Sequence, residues 1–226
     1  MSDSYAYLHL ADANNSATDL AQELRTNSVR SWRDRGVEVW GMFSGLFGLA
    51  SNELIVILHN AAGAPLSALT EPVGSTQVLR TEQLRATVRP AAFAPLTQNP
   101  PKTGPSGTAN SESTKGLYVL RRFRLQPNSV PETVRLSRQA WETFEADSTF
   151  HTRPLGLFEQ TEPNESHYDN MLLVTWYDGF ASWERSRKPA REAQDNFRQR
   201  HALTTRTGAI ATRLLTSRAG QADKSG

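Results

Sequence analysis

Between Pro95 and Gly116 the chain runs through 22 residues that hold four prolines, three glycines, three serines and four threonines, and almost nothing apolar. A stretch of that composition has too little hydrophobic area to offset the entropy of ordering it, so it reads as a linker. It divides the 226 residues into two units of similar length, 1–94 and 117–218, with the linker at 95–116 and a short polar tail at 219–226. Any fold proposed for this chain must therefore be built twice.

The two units repeat one order of elements. In the first, Tyr5 to Leu10 alternates Tyr5, Tyr7 and His9 against Ala6, Leu8 and Leu10, a strand with two unlike faces. Ser16 followed by Asp19 reads as a helix start, Leu20, Leu24 and Trp32 mark an apolar stripe, and Gly36 stands where a helix would be capped. Val37 to Phe43 and Leu54 to His59 form a hairpin around a Gly/Ser/Asn turn, and Gln83 to Val88 is a last strand. A second helix is reduced to a loop around Pro65 to Glu71. In the second unit Leu117 to Leu125 is a strand, and Ser129-Val-Pro-Glu132 is a capping box that opens a helix through Val134, Trp141 and Phe144. Leu155 to Phe158 and Met171 to Tyr177 are strands, and Phe180 to Arg187 and Ala190 to His201 are helical pieces broken at Pro189. Ala209 to Leu215 closes the set. The order β-α-β-β-α-β, given twice, is α+β and ferredoxin-like.

Composition removes several kinds of chemistry. With no cysteine there is no disulfide, thiolate nucleophile or iron–sulfur cluster, which fits a reducing compartment. Met1 to Tyr7 has neither the basic nor the apolar segment of a secretory signal, and Val37 to Ala50 is too short and too interrupted to span a bilayer, so a cytoplasmic location without a membrane span is expected. A net charge of +2 argues against a nucleic-acid partner. None of the five histidines falls at i,i+2 or i,i+4 from another, and no phosphate-binding or dinucleotide motif occurs, so neither metal nor cofactor is expected.

Short motifs in both units resemble those of NIPSNAP-family domains. Tyr118-Val-Leu120-Arg121-Arg-Phe123 with Pro127 resembles the family's strand-to-helix opening. Trp176-Tyr177 followed by Arg185 and Arg187 is similar to its W-x-Y and R-x-x-R region, with the arginine spacing off by one. Gly41-x-Phe43, Gly48 and Asn52-Glu53-Leu54-Ile55 resemble its hairpin. The first unit lacks the opening motif and the second lacks the hairpin glycines. The resemblance implies the dimeric α/β-barrel architecture, two ferredoxin-like units closing four-stranded sheets around a shared interior, here within one chain. It also implies a small hydrophobic or aromatic ligand in a barrel pocket.

Site candidates follow from strand alternation. Arg121 is the one charge on the otherwise apolar phase Leu117, Val119, Phe123 and Leu125. A guanidinium there must pair, with Glu159 or Asp178 in range, or clamp an anionic ligand, because a stranded charge costs several kcal/mol. Arg122 and Arg124 lie on the other phase. His9 is either a base facing the interior or a strand histidine bonded to its neighbours, and His59 is a second proton carrier at a strand end. Tyr7, Trp40, Phe158 and Trp176 would wall the pocket, or fill the core. Arginines 185 to 206 read as a solvated helical face. Two functions remain open: a cofactor-independent enzyme of monooxygenase, isomerase or cyclase type acting on a hydrophobic, aromatic or anionic metabolite, and a NIPSNAP-type binding protein without catalysis. Association into a homodimer is compatible with either.

Overall fold

The computed structural model describes residues 4–60, 63–70, 75–88, 116–146, 151–162, 167–187 and 191–215. The expected linker at 95–116, except its last residue Gly116, the break at Pro189 and the tail at 219–226 lie outside the described residues. The first unit runs β1 (Ser4–Asp12), α1 (Ala17–Asn27), α2 (Val29–Asp34), β2 (Val37–Phe47), β3 (Glu53–Asn60), α3 (Leu66–Leu69) and β4 (Thr76–Val88). The second runs β5 (Leu117–Leu125), α4 (Val130–Ala146), β6 (Thr152–Gln160), β7 (Asp169–Tyr177), α5 (Phe180–Arg185), α6 (Arg191–Ala202) and β8 (Thr204–Leu214).

Local signals explain most boundaries. Ser16 caps α1 and exchanges hydrogen bonds with Asp19 in a complete capping box. Gly36, at φ +73, ends α2 with its N–H on the Arg33 carbonyl. The box expected at Ser129 forms differently: the Ser129 N–H donates to Asp169 Oδ2 at 3.1 Å, and Glu132 turns instead to Arg135. Gly116 has φ +131, and a Cβ there would stand 2.4 Å from both Trp176 Nε1 and the Tyr177 carbonyl, so the entry to β5 admits glycine alone.

All eight strands close into one antiparallel barrel in the order β1-β3-β2-β8-β5-β7-β6-β4. Each unit contributes four neighbours in the ferredoxin-like order, β4-β1-β3-β2 and β6-β7-β5-β8, and the seams are β2 on β8 and β4 on β6. Closure removes the sheet edges that an isolated unit would expose.

Strands β1, β3, β5 and β7 are buried on both faces, whereas β8 is largely exposed. The inner face packs Tyr5, Tyr7, Trp40, Phe43, Ile55, Ile57, Tyr118, Leu120 and Phe158 into the barrel's centre. Ring contacts carry this core across the barrel: Tyr5 to Phe158 at 5.0 Å, Trp40 to Phe158 at 5.9 Å and Phe43 to Tyr118 at 5.6 Å. Helices cover the outer faces. On the first unit Ala6, Leu8 and Leu10 meet Leu20, Leu24 and Trp32, and Leu69 of the four-residue α3 closes the edge. On the second, α4 and α6 pack together over the outer side of β5, β6 and β7.

Candidate active site on the outer face of the second unit

A cavity of about 530 Å³ lies between the outer face of β5, β6 and β7 and the helices of the second unit. Alternation on the strands delivers Arg121, Thr152, Leu173, Thr175 and Tyr177 to it from one side. Trp141 of α4 and Phe197, Arg200 and His201 of α6 border it from the other.

Two guanidinium groups define its electrostatics. Arg121 makes no ion pair or hydrogen bond with any described residue: Glu159 pairs with Arg85 at 2.5 Å, and Asp178 lies 4.0 Å from His151. Arg200 is 9 % exposed, donates to Ser137 Oγ at 3.2 Å, and lies 5.1 Å from the Phe123 ring centroid and 4.9 Å from that of Phe197. No described carboxylate pairs with it either. Burial, and next the positive charge of Arg121, push the Arg200 pKa down to about 10. The ring faces offset part of the cost of that burial, but among the described residues Arg121 and Arg200 stand without a carboxylate beside apolar walls. Such a place favours an anion.

The barrel's centre holds the opposite arrangement. Arg122, one residue on from Arg121, points inward and grips both oxygens of Glu82 at 2.8 and 2.6 Å, while its guanidinium lies 4.3 Å over the Tyr7 ring. Arg80 bonds the same carboxylate. Glu82 is 1 % exposed, so this is a buried ion pair joining the two units, β4 to β5. Burial would lower the Arg122 pKa, but Tyr7 and Glu82 outweigh it and the net shift is upward. Burial likewise raises the pKa of Tyr7, and lifts those of Tyr5 and Tyr118 to about 12.

No protein-family model matches the sequence, and no curated protein does. Solved structures do match in shape. An anthrone oxidase-like protein aligns with a TM-score of 0.56 at 11% identity, over 94% of this chain and 92% of its own. A Listeria monocytogenes ferredoxin-fold protein related to antibiotic biosynthesis monooxygenases aligns at 0.52 and 8% identity, over 96% of both chains. A chlorite dismutase variant from Candidatus Nitrospira defluvii aligns at 0.52 and 9%, over 95% and 91%. The fold is a dimeric α/β barrel. Both of its units are carried by one chain, and at these identities the likeness is one of fold.

Within this dimeric α/β barrel the residues singled out from the sequence fall in three places. Tyr7, Trp40 and Phe158 are buried in the central core, with Trp176 packed against it, so they fill the interior where a pocket was expected. His9 and His59 share the inward phase but stand near opposite ends of the barrel. His59 opposes Tyr5 and His9 opposes Ile55, four residues apart, or about 13 Å at ~3.3 Å per residue. His9 Nε2 lies 3.0 Å from Glu53 Oε2. The His59 ring sits 5.0 Å from that of Tyr5, and its Nε2 is buried with no hydrogen bond to a described residue. Arg121 alone reaches the cavity, and from the outer face, not from the shared interior. The expectation that arginines 185 to 206 are solvated fails at Arg200. Its helical position, facing Ser137 and Phe123, is the signal that a pattern of charges alone does not carry. Among the described residues no cluster of three or more histidines and carboxylates could hold a metal, and no helix is long and apolar enough to cross a membrane.

Proposed function

We propose that the cavity of the second unit is the ligand site, and that it takes a small molecule with a flat hydrophobic body and an anionic oxygen. One observation carries the reading: Arg121 and Arg200 border the same cavity and no described carboxylate pairs with either. A protein that needed these groups only for packing would gain stability from neutral side chains there. Trp141, Leu173 and Phe197 supply an apolar wall for a ring system, and the volume lies within the range of small-molecule pockets.

The same two cations suit a carboxylate, a phenolate or an enolate. The reading therefore covers a cofactor-independent enzyme of monooxygenase, isomerase or cyclase type as well as a binding protein of the NIPSNAP kind, whose motifs the chain partly shares. The similar structures named for anthrone oxidase and for antibiotic biosynthesis monooxygenases support the enzymatic branch. His9, His59, Tyr7, Trp40, Phe158 and Trp176 have structural roles in this proposal, and Arg121 remains the ligand clamp.

Calorimetric titration with 2-naphthoate and its neutral isostere 2-naphthamide tests the charge requirement. The acid is expected to bind at least about tenfold tighter than the amide, as a charge-assisted hydrogen bond contributes ~1.5–3 kcal/mol, and Arg121→Gln to remove that preference. Equal binding of acid and amide would refute the proposal.

A further inference from the structure

His201 follows Arg200 directly in the last turn of α6, and both border the cavity. Arg200 is turned inward onto two rings, whereas His201 is exposed at the rim, where solvent can return or remove a proton. The described residues around the cavity include no aspartate or glutamate. They do include a phenol, Tyr177, several hydroxyls and four arginines, Arg121, Arg187, Arg198 and Arg200, none of which accepts a proton readily near neutral pH. The imidazole of His201 is the one group in that set that can. A base at the rim, two cations without a described carboxylate partner deeper in and an apolar wall beside them form the constellation that enolisation requires. The base removes a proton from carbon as the cations take the charge that develops on oxygen.

We infer that His201 is a general base that removes a proton from the carbon next to a ligand's carbonyl group, with Arg121 and Arg200 holding the resulting enolate oxygen. The inference rests on the ligand-site reading given above, and it names the substrate class as an α-aryl ketone, whose C–H between ring and carbonyl is acidified. In the step the C–H bond breaks, the proton moves to a ring nitrogen of His201, and the electron pair passes through the new C=C bond to the carbonyl oxygen. Return of the proton, or of a solvent deuteron, completes an exchange cycle with no oxidant or reductant.

The probe is 2-tetralone, used at a concentration that displaces 2-naphthoate from the full-length protein. Its C1 protons are followed by NMR in deuterated buffer. The wild-type protein should speed exchange by about a hundredfold over buffer, a typical contribution of one positioned base. His201→Gln should lose that acceleration while binding 2-naphthoate within about threefold of wild type, and added imidazole should restore part of the exchange in His201→Ala. Rescue by a free base is a result that a merely structural histidine would not give. Binding of 2-naphthoate without accelerated exchange, or equal exchange by wild type and His201→Gln, overturns the inference and leaves the ligand site standing. Absence of 2-naphthoate binding to wild type overturns both.

Discussion

The two units share one strand order and one antiparallel register scheme, yet they use their outer faces in opposite ways. On the first unit α1 and α2 lie flat on the sheet, and Leu20, Leu24 and Trp32 fill the space above Ala6, Leu8 and Leu10. Its second helix is reduced to the four residues of α3. On the second unit α4 and α6 pack on each other, and the sheet beneath them is left partly uncovered by apolar side chains. The first unit lays its helices on the sheet; the second packs α4 against α6 and leaves a charged hollow between them and the sheet. A duplicated fold permits this division, because one closed barrel supports both outer faces and only one needs to be imperfectly packed. The ion pair of Arg122 at the centre and Arg121, without a described carboxylate partner on the outer face of the same strand, β5, show how far the two environments differ across one residue step.

The strongest way to break this comparison is at the seam. Glu82→Gln removes the carboxylate that neutralises Arg122 and Arg80 inside the barrel, and leaves a cation in a site built for a pair. Breaking one partner of a buried pair costs ~3–5 kcal/mol. Arg122 retains some contact with water, its side chain being 28% exposed, which favours the lower end, about 3 kcal/mol. For a chain of this size that corresponds to a fall in Tm of about 10 °C. The double replacement Glu82→Leu with Arg122→Met should recover most of the loss. A fall of only a degree or two for Glu82→Gln would mean that the pair does little to hold the units together.

A second test compares the outer faces directly. Leu20→Ala opens a new void in the filled layer over the first unit and should cost about 3 kcal/mol, within the range for fully buried leucines. Leu173→Ala, on the cavity wall of the second unit, enlarges a space that already exists and should cost roughly half as much, because only the transfer part of the penalty applies. Urea titration of the two variants measures the difference. Equal losses would show that the cavity is as tightly packed around Leu173 as the first unit is around Leu20.

Much of the fold could be read from the residues, and the limit is instructive. The bounds of β5 and the capping box of α1 follow from local patterns, and so does the shortening of the first unit's second helix, though it is the four-residue α3 where a loop was expected. The anomaly at Arg121 was legible too, since a charge on an apolar phase stands out. Which side of the sheet that phase faced was not. In a closed barrel with helices outside, Leu117, Val119, Phe123 and Leu125 are buried against helices while Tyr118 and Leu120 are buried against the centre. Both phases open on apolar residues, so alternation separates them without naming them. Arg122 illustrates the other half of the same ambiguity: its partner Glu82 is 40 residues away, and only barrel closure brings β4 and β5 to opposite sides of one core. Arg200 was hidden for a different reason. In a helix crowded with arginines no spacing distinguishes the one that turns inward.

The smallest effect expected is also the one that most directly contrasts the hollow with the core. Arg200 is a buried cation without a described anionic partner, so Arg200→Met, which keeps the stack against Phe123 and Phe197, should stabilise the unliganded protein by about 1–2 kcal/mol while weakening 2-naphthoate binding. The sign with pH follows from the lowered pKa, about 10 when folded. Below that value Arg200 is charged in both states and the folded chain bears the whole penalty. As pH rises from about 10 toward the ordinary arginine range, the folded state releases the proton first, and the contribution of Arg200 to stability improves. Tyr5 and Tyr118 act the other way. Raised to about 12, they keep their protons longer when folded, so the barrel core loses stability as pH climbs from 10 to 12. Both tyrosines are common to the two proteins, so the difference in stability between Arg200→Met and wild type isolates the arginine. It should be constant up to about pH 10 and narrow above it, as measured by denaturant titration across that range. A gap of the reverse sign at pH 7 would mean that Arg200 is held by a partner in the free protein, and that the hollow is neutralised before any ligand arrives.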